Sequence, residues 1–268
     1  MLIDTHCHLD SYQFEHDRTD VIHRANNENI KGIVIPAVHP SNFNAVRELA
    51  HSINGGLYAL GIHPMYVSDI TDSDLQYLEK HIEKNIQDGR LVAVGEIGLD
   101  FFVDELCTKE MVAHQEHVYR SQLYIAKKYN LPVIMHVRRS QDIILKHLRS
   151  VSGVVGIAHA FNGSHQQANR FLDLGCVLGA GGAMTYERAR QIRRLVSDLP
   201  DYAWVLETDA PDIPPAWLST KSNKNARNEP AELCGILRVF SELRNISIEQ
   251  AVHQTFQNAC RILNLNDF

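Results

Sequence analysis

Eight short, β-rich apolar runs recur along the chain at 2–9, 32–38, 57–63, 91–97, 132–137, 154–161, 176–183 and 204–210. Between them lie polar or amphipathic segments of helical character, such as 73–87, 109–129 and 164–174, the last opening with the capping box Ser164-x-x-Gln167. Strands that are continuously apolar and alternate with helices belong to a parallel sheet buried on both faces. Eight such units in 268 residues predict a (β/α)8 TIM barrel, possibly distorted, as one domain over 1–268. No glycine-rich G-x-G-x-x-G turn follows the first run, which argues against a doubly wound dinucleotide fold. Two more helices are expected after the last strand, one from about Glu229 and one beginning at Ser247-x-x-Gln250.

In such a barrel the C-terminal strand ends carry the chemistry, and here they are rich in metal-binding residue types. His6 and His8 are expected to end the first strand, His63 the third, Glu96 the fourth, His136 the fifth, His159 the sixth and Asp209 the eighth. Imidazole and carboxylate are the usual ligands of catalytic zinc, manganese or magnesium. Four histidines and two carboxylates exceed one tetrahedral site but suffice for two ions if a carboxylate bridges, and Glu96 is the natural bridge. Cys7, between His6 and His8, points to the opposite strand face and is read as an apolar residue packing toward the helical ring. Glu207 shares the strand parity of Asp209, but at ~3.3 Å per residue it lies roughly 7 Å deeper, so Asp209 is the preferred ligand and proton acceptor.

The remaining polar residues are read one by one. His63 is a substrate or proton-transfer group, or a turn histidine before Pro64, and His39 is read as packing. Asp100 orients a ligand histidine or caps the following segment. Arg138 and Arg139 offer a phosphate handle, and Lys221, Lys224 and Arg227 of the long loop 211–228 could meet substrate phosphate. The helix-borne Arg188, Arg190, Arg193 and Arg194 read as a solvated face. A net charge of −6 disfavours gripping duplex DNA over many phosphates, while leaving room for a nuclease acting on a strand end through metal ions. The five scattered cysteines form no C-x-x-C pair, and neither a leader nor an apolar membrane span is visible, so a reduced, cytoplasmic protein with no obligate protein partner is expected.

Taken in order, DTHCHLD at 4–10, GIHP at 61–64, GEIGLDF at 95–101, the histidine of MHVRR, HAFNGS at 159–164, ETDAPDIP at 207–214 and RNEP at 227–230 resemble the TatD family of metal-dependent hydrolases, and within it the YjjV-like branch. The resemblance covers essentially the whole chain. It implies a distorted TIM barrel and ester hydrolysis, commonly deoxyribonuclease activity, on a DNA strand end or small phosphodiester. It also implies two divalent ions, one on His6, His8 and Asp209, the other on His136 and His159, with Glu96 between them. Phe101 stands where the family commonly has Tyr and Ala160 where it has Cys, and neither removes a ligand. An amidohydrolase-like activity on a C–N or carboxyl ester bond, and a metal-binding protein without turnover, remain the alternatives. The absence of a lysine near the Glu96 position disfavours centres bridged by a carboxylated lysine.

Overall fold

The computed structural model describes residues 1–219 and 226–265. Its strands are β1 (Leu2–Asp4), β2 (Ile30–Pro36), β3 (Gly56–Leu60), β4 (Leu91–Asp100), β5 (Val133–Arg138), β6 (Gly156–His159), β7 (Val177–Ala180) and β8 (Trp204–Leu206). All neighbours pair in parallel and in chain order. Three backbone bonds, from Thr5 N–H to Leu206, Asp209 N–H to His6 and His8 N–H to Ala210, bring β8 back beside β1 and close the (β/α)8 barrel.

The helices are α1 (Arg18–Asn27), α2 (Phe43–Ser52), α3 (Asp72–Asn85), α4 (Lys109–Tyr129), α5 (Gln141–Val151), α6 (His165–Asp173), α7 (Arg190–Asp198), α8 (Leu233–Arg244) and α9 (Ile248–Ile262). Side-chain capping starts several of them. Ser164 caps α6 with Gln167 answering, and Ser247 caps α9 with Gln250, the two boxes read from sequence. α4 has the predicted span, and it ends at Asn130 in the left-handed conformation.

Strand side chains divide between two apolar clusters, as a barrel requires. Ile3, Val34, Leu57, Val92, Ile134, Ile157, Val177 and Val205 fill the inside near the strand starts, with Ile262 and Leu263 of the α9 region packed among them. The larger cluster lies between sheet and helices and holds Cys7, at 0% exposure, in company with Leu9, Phe14 and Trp204. Cys7 therefore packs on the far side from the histidines, and burial pushes its thiol pKa up. Among the described residues no helix is long and apolar enough to cross a membrane.

Four strand ends differ from the sequence expectation. β3 stops at Leu60, so His63 lies beyond it at the start of a 3-10 turn. β1 stops at Asp4 and β8 at Leu206, so His6, His8 and Asp209 follow regular strand instead of ending it. The chain beyond forms no regular ladder between β1 and β8 apart from a single Cys7–Ala210 bridge, and Asp209 turns into the left-handed region at φ 56°. β4, by contrast, runs on to Asp100, paired with Arg138 of β5, so Glu96 lies within the strand.

Candidate metal centre at the barrel mouth

Glu96 sits where the β4–β5 register shifts between Val94 and Ile97, an irregularity of the kind that re-aims a side chain. Its N–H donates to the carbonyl of Ala37, just past β2, at 2.9 Å. The carboxylate is 1% exposed, and its two oxygens face different histidines. Oε2 lies 3.0 Å from His6 Nε2 and 3.3 Å from His8 Nε2. Oε1 lies 3.1 Å from His136 Nδ1, 3.3 Å from His63 Nε2 and 3.6 Å from His159 Nε2. Asp209 Oδ1 approaches His6 Nε2 at 3.5 Å, His8 Nε2 at 3.8 Å and His159 Nε2 at 4.0 Å. The fold thus gathers His6, His8, Glu96, His136, His159 and Asp209 at one point, and brings His63 with them.

This cluster is crowded with lone pairs in a way that suits a cation. Glu96 Oε2 makes no hydrogen bond of good geometry despite its two close imidazoles, and His6 Nε2 stands 3.2 Å from His8 Nε2. Buried acceptors at such spacing need positive charge between them. His6, His8 and Asp209 form one group that could hold an ion, and His6, Glu96 and His159, or His63, Glu96 and His136, form others. All donors are nitrogen or oxygen, which fits a catalytic zinc, manganese or magnesium and not a closed thiolate site.

Outer carboxylates orient the imidazoles. Asp100 Oδ2 accepts from His136 Nε2 at 3.0 Å, leaving the Nδ1 lone pair toward Glu96. Its other oxygen accepts the N–H groups of Phe102 and Val103, so Asp100 performs both roles that sequence left open. Glu207, which sequence reasoning weighed only as a rival ligand, lies behind His159 with Oε1 3.3 Å from Nδ1 and 2.5 Å from the Ala160 N–H. Gly179 makes room for it, since a Cβ there would stand 2.2 Å from Glu207 Oε2. Asp4, unremarked in sequence, accepts from the backbone N–H of His6 and from both the N–H and hydroxyl of Thr208, tying the two ligand-bearing segments together.

His63 differs from its neighbours in tautomer. Its Nδ1 accepts the Met65 N–H at 3.1 Å, so in the neutral ring the proton resides on Nε2, which faces Glu96. Burial lowers its pKa to about 4 against the pull of Glu96, which keeps it a neutral N–H donor at pH 7. Burial likewise holds His6 well below the ordinary imidazole value. For His8, burial opposes protonation but contact with Glu96 and then Asp209 outweighs it, raising the pKa to about 9. For His159 burial is outweighed by Asp209, Glu207 and Glu96, giving about 10. Burial raises Asp209 to about 6 even though His159 and His8 pull the other way.

A cavity of about 1060 Å³ opens above the cluster, lined by His8, His63, Glu96, His136, His159 and Asp209 and, at the rim, by Arg138 and Arg139. Arg227 is not brought to it. Its guanidinium forks onto Asp17 at 2.6 and 2.7 Å, donates to Gln13 O and covers the Phe14 ring. The RNEP segment is a fastening: buried Asn228 donates to Thr208 O and Asp212 O, and Glu229 pairs with Arg24. Arg227 thus stands away from the cavity, its guanidinium taken up by the bidentate partner Asp17. His39 caps a short 3-10 turn through Nδ1, as packing predicted. Arg194 is solvated and pairs with Asp198. Lys221 and Lys224 lie outside the described residues.

A parallel barrel whose mouth gathers imidazoles and carboxylates from separate strands is that of a metal-dependent hydrolase. Comparison narrows the class. Residues 3–264 match the family model described as TatD related DNase, and the chain belongs to that family. It is 36% identical over 263 residues to an uncharacterized metal-dependent hydrolase of Haemophilus influenzae, covering 97% of this chain and 98% of that protein. It is 31% identical to human deoxyribonuclease TATDN3, over 97% of this chain and 94% of the relative. The crystal structure of the TatD homologue YjjV from Escherichia coli superposes with a TM-score of 0.90 at 34% identity, covering 98% of each chain.

Proposed function

We propose that this hydrolase cleaves phosphodiester bonds of DNA with two divalent ions held across Glu96. The observation that carries the reading is the division of the histidines between the two Glu96 oxygens. His6, His8 and Asp209 with Oε2 would hold one ion, and His136 and His159 with Oε1 the other. Bound zinc, magnesium or manganese supplies Lewis acidity toward a phosphoryl oxygen and lowers the pKa of water. Asp209, which also lines the cavity, is placed to accept a proton. With an ion on Glu96 Oε1, the Nε2 proton of His63 that faces this oxygen would be freed for the phosphate, and Arg138 stands at the rim to meet it. The name of the human relative supports DNA as the substrate class.

The test is metal-stripped protein reloaded with magnesium, manganese or zinc and offered single-stranded DNA, a generic phosphodiester and an amide panel. Metal-dependent cleavage of the first two is expected. Turnover of amides without phosphodiesters would move the activity to C–N bonds.

Loading should also release protons. At pH 7 the metal-free His8 and His159, with pKa values of about 9 and about 10, carry protons that a ligand imidazole cannot keep. Because both values lie above 7, apparent metal affinity rises with pH, and protons should leave on loading, those of His8 and His159 together with any held by His136, whose pKa is also raised. Calorimetry in buffers of differing ionisation enthalpy counts them; a count of zero contradicts the ligand roles of these two histidines.

Glu207→Gln removes the charge behind His159 while keeping its size. Metal affinity or activity is expected to fall about 10- to 100-fold with the fold intact. Metal titration and circular dichroism check this, and unchanged affinity would leave Glu207 only its bond to the Ala160 N–H.

A further inference from the structure

Arg138 and Arg139 are the only lysine or arginine side chains lining the cavity among the described residues. Arg138 ends β5, Arg139 follows it in the turn to α5, and both are exposed. Their guanidinium carbons lie 3.8 and 4.5 Å from the centroid of one ring, Phe102. Several arginines elsewhere are held by internal partners, Arg90 by three backbone carbonyls, Arg244 by two carbonyls and Asp201, and Arg227 by Asp17. Arg139 has no carboxylate within ion-pair reach among the described residues, and Arg138 has only Asp100 at 3.7 Å. Neither guanidinium makes a hydrogen bond there, so their planar donor forks are free.

Two adjacent like charges above one ring need compensation, and the ring quadrupole supplies only part of it. An anion supplies the rest, and free arginine forks match phosphate geometry. The position is fixed relative to the chemistry. Asp100 Oδ1 holds the Phe102 N–H at 2.8 Å, while Oδ2 holds His136. One carboxylate therefore spaces the arginine platform from the metal centre. Asp10 and Asp212, which also line the cavity, are acidic and disfavour a phosphate beside them, so among the described residues the cationic lining is that beside Phe102.

We propose that Arg138 and Arg139, held on Phe102, form a subsite for a second phosphate flanking the scissile one. The inference rests on the phosphodiesterase reading above and sharpens it: the preferred substrate is an oligonucleotide end with an adjacent phosphate, not an isolated phosphodiester. Arg138 contacts whichever phosphate approaches the rim, and Arg139 and Phe102 set the selectivity.

The test uses the metal-loaded protein and thymidylyl-thymidine, bare or bearing one further phosphate on its 5′ or its 3′ end. One phosphorylated form should exceed the bare dinucleotide in kcat/KM by about 10- to 100-fold. In Arg139→Ala that advantage should shrink to below about threefold, and Phe102→Leu, which keeps both charges, should lose most of it. Arg194→Ala, an equal charge change on the α7 surface, should keep it. An advantage that survives Arg139→Ala, or that Arg194→Ala erodes equally, overturns the subsite. If no dinucleotide is cleaved, the parent reading fails, and the subsite is judged by binding of thymidine 3′,5′-bisphosphate. Binding about tenfold weaker in Arg139→Ala than in Arg194→Ala supports it, and equal binding overturns it.

Discussion

Glu96→Gln should lose activity by about 10³-fold or more while remaining folded. The substitution conserves shape but removes the negative charge that faces five imidazoles from two oxygens. Holding and charging a metal centre contributes several kcal/mol to transition-state stabilisation, and about 4 kcal/mol corresponds to that factor. The neutral amide also removes an attraction that raises the pKa of both His8 and His159, so fewer protons should be bound near neutrality in the metal-free variant. Steady-state kinetics beside metal analysis check the point. Retention of full activity and of both ions would sink the bridging role.

Gly98→Ala should damage stability more than any other single methyl addition in β4. Gly98 holds φ 147°, a region that side chains rarely adopt, and a Cβ there would stand 2.1 Å from His136 O on the paired strand. The obstacle is backbone, so it cannot rotate away. Backbone strain and the forced shift together should cost about 3 kcal/mol or more. The β4–β5 pairing carries both Glu96 and His136, so activity should fall with stability. Urea unfolding measures the first and phosphodiester turnover the second; an unchanged midpoint would contradict the clash.

The barrel was legible because continuous apolar runs have no other economical use than a sheet buried on both faces. All eight runs contain a strand, and the paired Ser and Gln residues mark the α6 and α9 starts. The convergence of His6, His8, Glu96, His136, His159 and Asp209 was legible from their places near strand ends. What was hidden depends on partners far apart in sequence. Asp4 meets Thr208 and Glu207 backs His159 only after β1, β6 and β8 are brought together. Arg227 looked free in a long loop because its partner, Asp17, is 210 residues away. His63 could be placed at the mouth, but its tautomer follows from a backbone N–H two residues on, which only the turn geometry presents. Nor did sequence signal the left-handed turn at Asp209 beyond β8, a non-glycine residue at φ 56°.

The most direct measurement is a crystal structure of manganese-loaded protein with anomalous scattering collected at the manganese edge. Two ions are expected, one bonded to His6, His8 and Asp209, the other to His136 and His159, with Glu96 bonded to both. A single ion, or a second one away from Glu96, would contradict a two-metal hydrolase built on this carboxylate.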